Sequence, residues 1–213
     1  MVRDAAQSTG TGVSWEPDDD HRLLRRLLRH SHIFSAAVRE VLEEELLRMV
    51  SDHPLSLPQF HLLKLIAQQG MHQVGEVAQF LGVSSPAASK NIDKLVRLGL
   101  LTRAPDEVDR RVTLLSASRS GQRLVERYEE LEVERLGPAL EQFRPEEIHG
   151  LTRLLDRLSV SLLALDRSQG GFCLKCAAYC EEGCAVAHLQ DFCPYEKIRN
   201  RCRGVRETGK EVK

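Results

Sequence analysis

The chain is poor in aromatic residues, with six Phe, three Tyr and one Trp among 213. That scarcity points away from a β-sandwich or barrel, whose strands draw heavily on aromatic and β-branched residues. It also lacks an excess of either charge: 30 Lys and Arg face 31 Asp and Glu, for a formal net charge of −1. No field of the whole molecule draws it to nucleic acid, so any basic surface must be local. No apolar run approaches the ~18 residues needed to span a bilayer, and no membrane partner is expected. Met1–Gly10 lacks the apolar core of a signal peptide. A cytoplasmic location is therefore expected, where thiols stay reduced. There is no glycine loop that could cradle phosphate and no nucleophile constellation, and catalysis is not expected. His21, His30, His32, His53, His61, His72 and His149 show no paired ligand spacing beyond His30 and His32, which fall on different helix faces.

What the chain does have is helical periodicity. Residues 1–20 read as a flexible acidic tail whose Asp18-Asp19-Asp20 run suits the positive end of a following helix. From His21 to Val50, Leu24, Leu27, Leu28, Phe34, Val38, Val41, Leu42 and Met49 share one face. Arg25, Arg26, Arg29, Glu40, Glu43 and Glu44 hold the other, which predicts a long amphipathic helix stopped by Ser51-Asp52-His53-Pro54. Further helices are predicted over Leu57–Gln69, closed by Gly70, and over Val74–Leu81, closed by Gly82. Ser84-Ser85-Pro86 offers two hydroxyl caps and a first-turn proline for a helix running to about Leu98 and ending at Gly99. The pattern then turns β-like in Leu100–Arg103 and Val112–Leu115, around a charged segment, Ala104–Arg111. Two long helices follow. One carries Leu124, Tyr128, Leu131, Leu136 and Leu140, with Gly137-Pro138 expected to bend or interrupt it. The other, from Pro145, carries Ile148, Leu151, Leu155, Leu158, Leu162 and Leu165 at steps of three and four. Such a heptad stripe suits a partner helix and favours a dimer seam over an internal core face.

Chemistry first appears in the middle segment. Residues 74–92 have the spacing of a helix-turn-helix. Ala78 is small enough for a close helix crossing, Gly82 suits the turn, and Leu81, Val83, Ala88 and Ile92 are expected to pack between the helices. Ser84, Ser85, Ala87, Ser89, Lys90, Asn91 and Lys94 would then face partly outward. Short polar side chains at the start of a helix and lysines further along suit a major-groove reader that also touches phosphate. On the hairpin tip, Arg110 and Arg111 could reach the narrow, negative minor groove. Asp109 is expected to pair with a neighbouring arginine and hold the tip in shape. Residues 55–116 contain seven Lys or Arg against five Asp or Glu, so binding must depend on placement rather than on bulk charge.

These residues resemble the MarR family of bacterial transcription regulators. Gln73–Ala78 and Leu81–Lys90 look like that family's helix-turn-helix. Ile92–Leu95 and Leu98–Arg103 look like its recognition helix and first wing strand, and Asp109-Arg110-Arg111 through Ser116 and Gly121 like its wing and the next helix start. The likeness covers about residues 21–166. It implies a mainly α fold: a winged helix-turn-helix (about 74–98) with a small β-hairpin wing (about 100–116) and long N- and C-terminal dimerisation helices. It further implies a homodimer on palindromic double-stranded DNA and no catalysis. A small-molecule effector is admitted as a further partner, and the sequence identifies none. Ser116–Gly121 is slightly longer than the family's usual link, and the family commonly ends with the last long helix, whereas this chain continues.

That continuation, residues 167–213, follows a hinge-like Gly170-Gly171 and holds all six cysteines: Cys173, Cys176, Cys180, Cys184, Cys193 and Cys202. The pair Cys173 and Cys176 has a favourable bite for a soft metal. An iron–sulfur cluster fits a ligand supply that is nearly all cysteine and exceeds four. Zinc would need only four ligands, Cys173, Cys176, one of Cys180 or Cys184, and Cys193, with His188 as a substitute. A straight helix from Cys173 to Cys184 would hold its ends ~16 Å apart, too far for one metal, so Glu181-Glu182-Gly183 would have to fold Cys184 back. A thiol switch and a packed apolar helix face are the other two readings. The expectation is a regulator modulated by metal, cluster or redox state through this segment. The alternative is a redox or electron-transfer protein carrying an iron–sulfur cluster on a helical scaffold.

Overall fold

The computed structural model describes residues 17–165 apart from 70, 71, 82 and 108. By contacts the chain divides after Val41 into two compact units.

In the first, α1 (Pro17–Ala36) passes into a π-helical segment (Ala37–Glu43) that continues into the second unit. The helix begins four residues before His21, so Asp18, Asp19 and Asp20 lie in its first turn, where the unpaired N–H groups favour acidic residues. Its two stripes are as the periodicity predicts. Leu23, Leu24, Leu27, Leu28 and Phe34 are exposed on one side, while Arg22, Arg25, Arg26 and Arg29 form pairs three and four residues apart.

The second unit continues with α2 (Glu44–Val50), which buries Leu46 and Leu47. The next helix, α3 (Leu57–Gln69), is its centre. Phe60, Leu62, Leu63, Leu65 and Ile66 are all at most 1% exposed. A helix apolar on nearly every side must be surrounded: α2, α5, α6 and the sheet all touch it. Each such side chain contributes about 1.5–3 kcal/mol by leaving water. The helices α4 (Val74–Leu81) and α5 (Ser85–Arg97) pack against each other. The last two among the described residues are α6 (Arg119–Leu140) and α7 (Pro145–Leu163). Gly137-Pro138 does not interrupt α6, which carries Pro138 inside it to Leu140. Placed in the last turn, the proline's missing N–H frees only the Glu134 carbonyl.

The sheet has three antiparallel strands rather than two, in the order β1-β3-β2. The strands β2 (Leu101–Pro105) and β3 (Thr113–Ala117) form the expected hairpin, with Arg103 opposite Leu115. The short β1 (His72–Gln73) pairs with the other edge of β3, His72 opposite Leu115. Leu115 is fully buried.

Two local devices set where the hairpin leaves the helices. At the end of α5, Gly99 has φ +70°. Its N–H donates to the Val96 carbonyl at 2.9 Å, and the Leu100 N–H to the Leu95 carbonyl at 3.0 Å. This is a Schellman stop, with Leu95 and Leu100 both buried beside it. At the start of α6, the Ser118 hydroxyl donates to the Gly99 carbonyl at 2.6 Å and accepts from the Gly121 N–H at 3.0 Å. The Ser118 N–H reaches the Leu100 carbonyl at 2.9 Å. The link after β3 is thus a single capping residue. A Cβ at Gly121 would meet the Leu100 carbonyl oxygen and lie 3.0 Å from Leu63 Cδ1.

Candidate nucleic-acid interface

The crossing of α4 and α5 is built from small and apolar residues. Val77, Ala78, Ala88, Ile92 and Leu95 are buried, and Ala88, Ile92 and Leu95 recur at helical spacing, so the opposite side of α5 must face out. Val83 departs from expectation. It is 41% exposed and serves the turn through its backbone, its N–H reaching the Ala78 carbonyl at 3.3 Å. The expected packing of Leu81 falls on a side chain outside those described.

Ser84 takes the cap position of α5 with extended backbone, φ −63° and ψ 150°, and Pro86 sits in the first turn. The Ser84 carbonyl accepts the Ala88 N–H at 3.0 Å, but its hydroxyl makes no capping hydrogen bond. Ser84, Ser85, Ala87 and Lys90 are exposed; Ser89, Asn91 and Lys94 are half-buried. Lys94 is engaged within the protein. Its Nζ donates to the Pro54 carbonyl at 2.6 Å and to Gln59 Oε1 at 2.9 Å. Gln59 Nε2 in turn donates to Asn91 Oδ1 at 3.3 Å. Nothing in the sequence pattern singled out Gln59 or the exposed Arg97. Arg97 lies seven residues beyond Lys90, on the same stripe, and that spacing is the signal that would have found it.

Arg103 on β2 bonds Asp93 of α5 at 2.7 Å, fastening the hairpin to the helix. The hairpin's tip is shaped by backbone contacts. Asp106 Oδ1 accepts the Asp109 N–H at 2.8 Å, Asp109 Oδ1 accepts the Arg111 N–H at 3.0 Å, and the Val112 N–H reaches the Asp109 carbonyl at 2.8 Å. The expected pairing of Asp109 with an arginine side chain is therefore corrected: its carboxylate holds the Arg111 amide. A carboxylate two residues before an amide closes an Asx-type turn locally, whereas a guanidinium would have to fold back over it. Arg110 and Arg111 are exposed and have no ion-pair partner among the described residues.

All six cysteines and His188 lie outside the described residues. Among the described residues no group of three His, Cys, Asp or Glu could hold a metal, and no helix is long and apolar enough to cross a membrane. His61 is buried, while His21, His30, His32, His53 and His149 are exposed.

Residues 55–113, spanning α3 to the first residue of β3, match the family model described as MarR family. This segment is similar to the MarR family. Two solved structures share the fold, each 25% identical with a TM-score of 0.56: a MarR family protein from Bacillus stearothermophilus and RV1404 from Mycobacterium tuberculosis. The likeness takes in 96% of either chain but 67% and 70% of this one. The MarR-like part thus accounts for nearly all of those proteins and leaves about a third of this chain unmatched. The HTH-type transcriptional regulator YpoP of Bacillus subtilis is 26% identical over 109 residues, 51% of this chain and 77% of its own. YdgG of the same species, also described as an HTH-type transcriptional regulator, is 26% identical over 117 residues, 54% and 76% respectively. The winged helix of this chain is similar to that of these proteins.

Proposed function

We propose that the chain is a sequence-specific DNA-binding transcription regulator that acts as a homodimer on a palindromic operator. One observation carries the reading. The hairpin that Arg103 ties to α5 ends in a turn whose amides Asp106 and Asp109 hold, with Arg110 and Arg111 exposed on it and free of ion pairs among the described residues. A shaped turn bearing two uncommitted guanidiniums costs charge repulsion unless an anion meets it, and the minor groove is such an anion. Beside it, α5 would lie in the major groove with Ser84, Ser85, Ala87, Ser89 and Lys90 as its contacts. Dimerisation is supported by α7. It buries none of its residues and leaves Leu151, Leu155 and Leu162 exposed along the heptad stripe, with Leu154 exposed beside it. A row of that kind calls for a partner helix.

The test is fluorescence anisotropy with a duplex selected from a random-sequence library by the wild-type protein. Arg110→Ala combined with Arg111→Ala should weaken binding at least tenfold and lower the salt slope by about 0.9 for each phosphate no longer neutralised. Unchanged affinity in that variant would overturn the reading.

On spacing alone, Cys173, Cys176, Cys180, Cys184 and Cys193 are proposed to hold an iron–sulfur cluster or zinc whose state modulates DNA binding. Iron and zinc assay and an absorbance spectrum of protein purified without oxygen test this directly. Near-stoichiometric metal is expected, and protein free of both metals overturns it. A protein cut after Asp166 should then bind DNA without responding to metal or redox state.

A further inference from the structure

We propose that Arg97, not Lys94, is the second cation that α5 gives to the DNA backbone, and that Lys94 is a positioning residue setting the angle of the helix. The proposal rests on the DNA-binding reading and turns on where each side chain is already committed.

Lys94 has three N–H donors, and two are spent inside the protein, on the Pro54 carbonyl and Gln59 Oε1. Gln59 is occupied as well. Its Oε1 also accepts the Ser56 N–H at 3.2 Å and its Nε2 donates to Asn91 Oδ1. Asn91 Nδ2 donates back to the Ala87 carbonyl at 3.3 Å. The network joins the segment before α3, α3 itself and α5, on the side of α5 marked by Ala87, Asn91 and Lys94. To reach a phosphate fully, the ammonium would have to break bonds of the same charge-assisted kind as the one it gained.

The other side of α5 is held through Asp93 and Arg103. Between the two braces lie Pro86, Lys90 and Arg97, at steps of four and seven and all exposed. Lys90 and Arg97 are about 10.5 Å apart along the axis. Neither has an ion-pair partner among the described residues. The guanidinium of Arg97 matches phosphate geometry in two parallel hydrogen bonds, which an ammonium cannot offer. The outward stripe therefore carries two cations without an ion pair among the described residues, and the residue that spacing alone nominated is occupied elsewhere.

The test uses the full chain, the selected duplex, a scrambled duplex and a salt series, for Arg97→Gln, Lys94→Met, Gln59→Leu and the Lys94→Met/Gln59→Leu double variant. Urea midpoints of each variant keep folding losses separate from binding losses. Arg97→Gln should lower the salt slope by about 0.9, the value of one phosphate, and weaken both duplexes alike. Lys94→Met should leave the slope unchanged and reduce discrimination between the duplexes. Gln59→Leu should do the same, and the double variant should be no worse than the worse single, because one network is being broken. The proposal is overturned if Lys94→Met lowers the slope, if the Lys94 and Gln59 effects add, or if Arg97→Gln shifts only the urea midpoint. That last outcome would make Arg97 a charge on the helix end. If Arg110→Ala/Arg111→Ala binds poorly while Arg97→Gln behaves as wild type, this proposal falls and the functional reading stands. If no duplex is enriched, both fall.

Discussion

Two side chains with buried or engaged polar atoms give residue-scale consequences. Asp109 spends its carboxylate on the Arg111 amide. Asp109→Ala should leave that N–H to solvent and loosen the turn carrying both arginines. One hydrogen bond of about 1 kcal/mol corresponds to about fivefold in affinity, read by anisotropy, with the salt slope unchanged because no phosphate partner is removed. Tyr128 is buried at 3% exposure against Phe60, ring centroids 4.3 Å apart. Burial first, and then the charges of Glu132 and Glu43, push its phenol well above the ordinary value. A phenol kept neutral by the fold ionises first in the unfolded chain, at about pH 10. Its contribution is therefore complete below that pH and is lost as pH rises from there towards the folded value. Urea unfolding should show stability falling above about pH 10, and Tyr128→Phe should flatten that part of the profile.

At the scale of elements, most helices were legible because each obeys a local rule. The bounds of α3 and α4 agree with the sequence expectation, and α5 stops at Gly99, where only a residue tolerant of positive φ can sit. What was not legible depends on partners distant in sequence. His72-Gln73 has no strand pattern, and it becomes a strand because β3 has a free edge beside it. Val83 reads as core by type but faces solvent, and Lys94 reads as a groove contact but finds two acceptors 40 and 35 residues away. Candidate residues could be placed on the outward side of α5 from the spacing of Ala88 and Ile92; which of them were uncommitted could not. The start of α6 is an element-scale device. Gly121→Ala would ordinarily raise helix stability, but here the methyl meets the Leu100 carbonyl backbone. We expect a loss of about 1–3 kcal/mol, or about 2–4 °C in Tm per kcal/mol for a chain of this size, measured by calorimetry.

For the whole molecule, the proposed dimer places its seam on the exposed leucines of α7. Leu155→Glu with Leu162→Glu should give a monomer by sedimentation velocity. DNA affinity should fall by about a hundredfold or more, since the second half-site no longer binds as an intramolecular event. A variant that stays dimeric would move the seam elsewhere. The central strand has a different consequence. Because β3 is laddered on both edges, to β1 in the helical body and to β2 in the hairpin, the wing is no detachable appendage. Its root is shared with the core, and a change there would be felt as misfolding. Between Asp106 and Val112, whose backbones are still hydrogen-bonded at 2.9 Å, substitutions leave the paired strands untouched. On the proposed reading, variation in what the tip would contact, whether by evolution or by a designer, is channelled into that short insert, which makes it the natural cassette for retargeting.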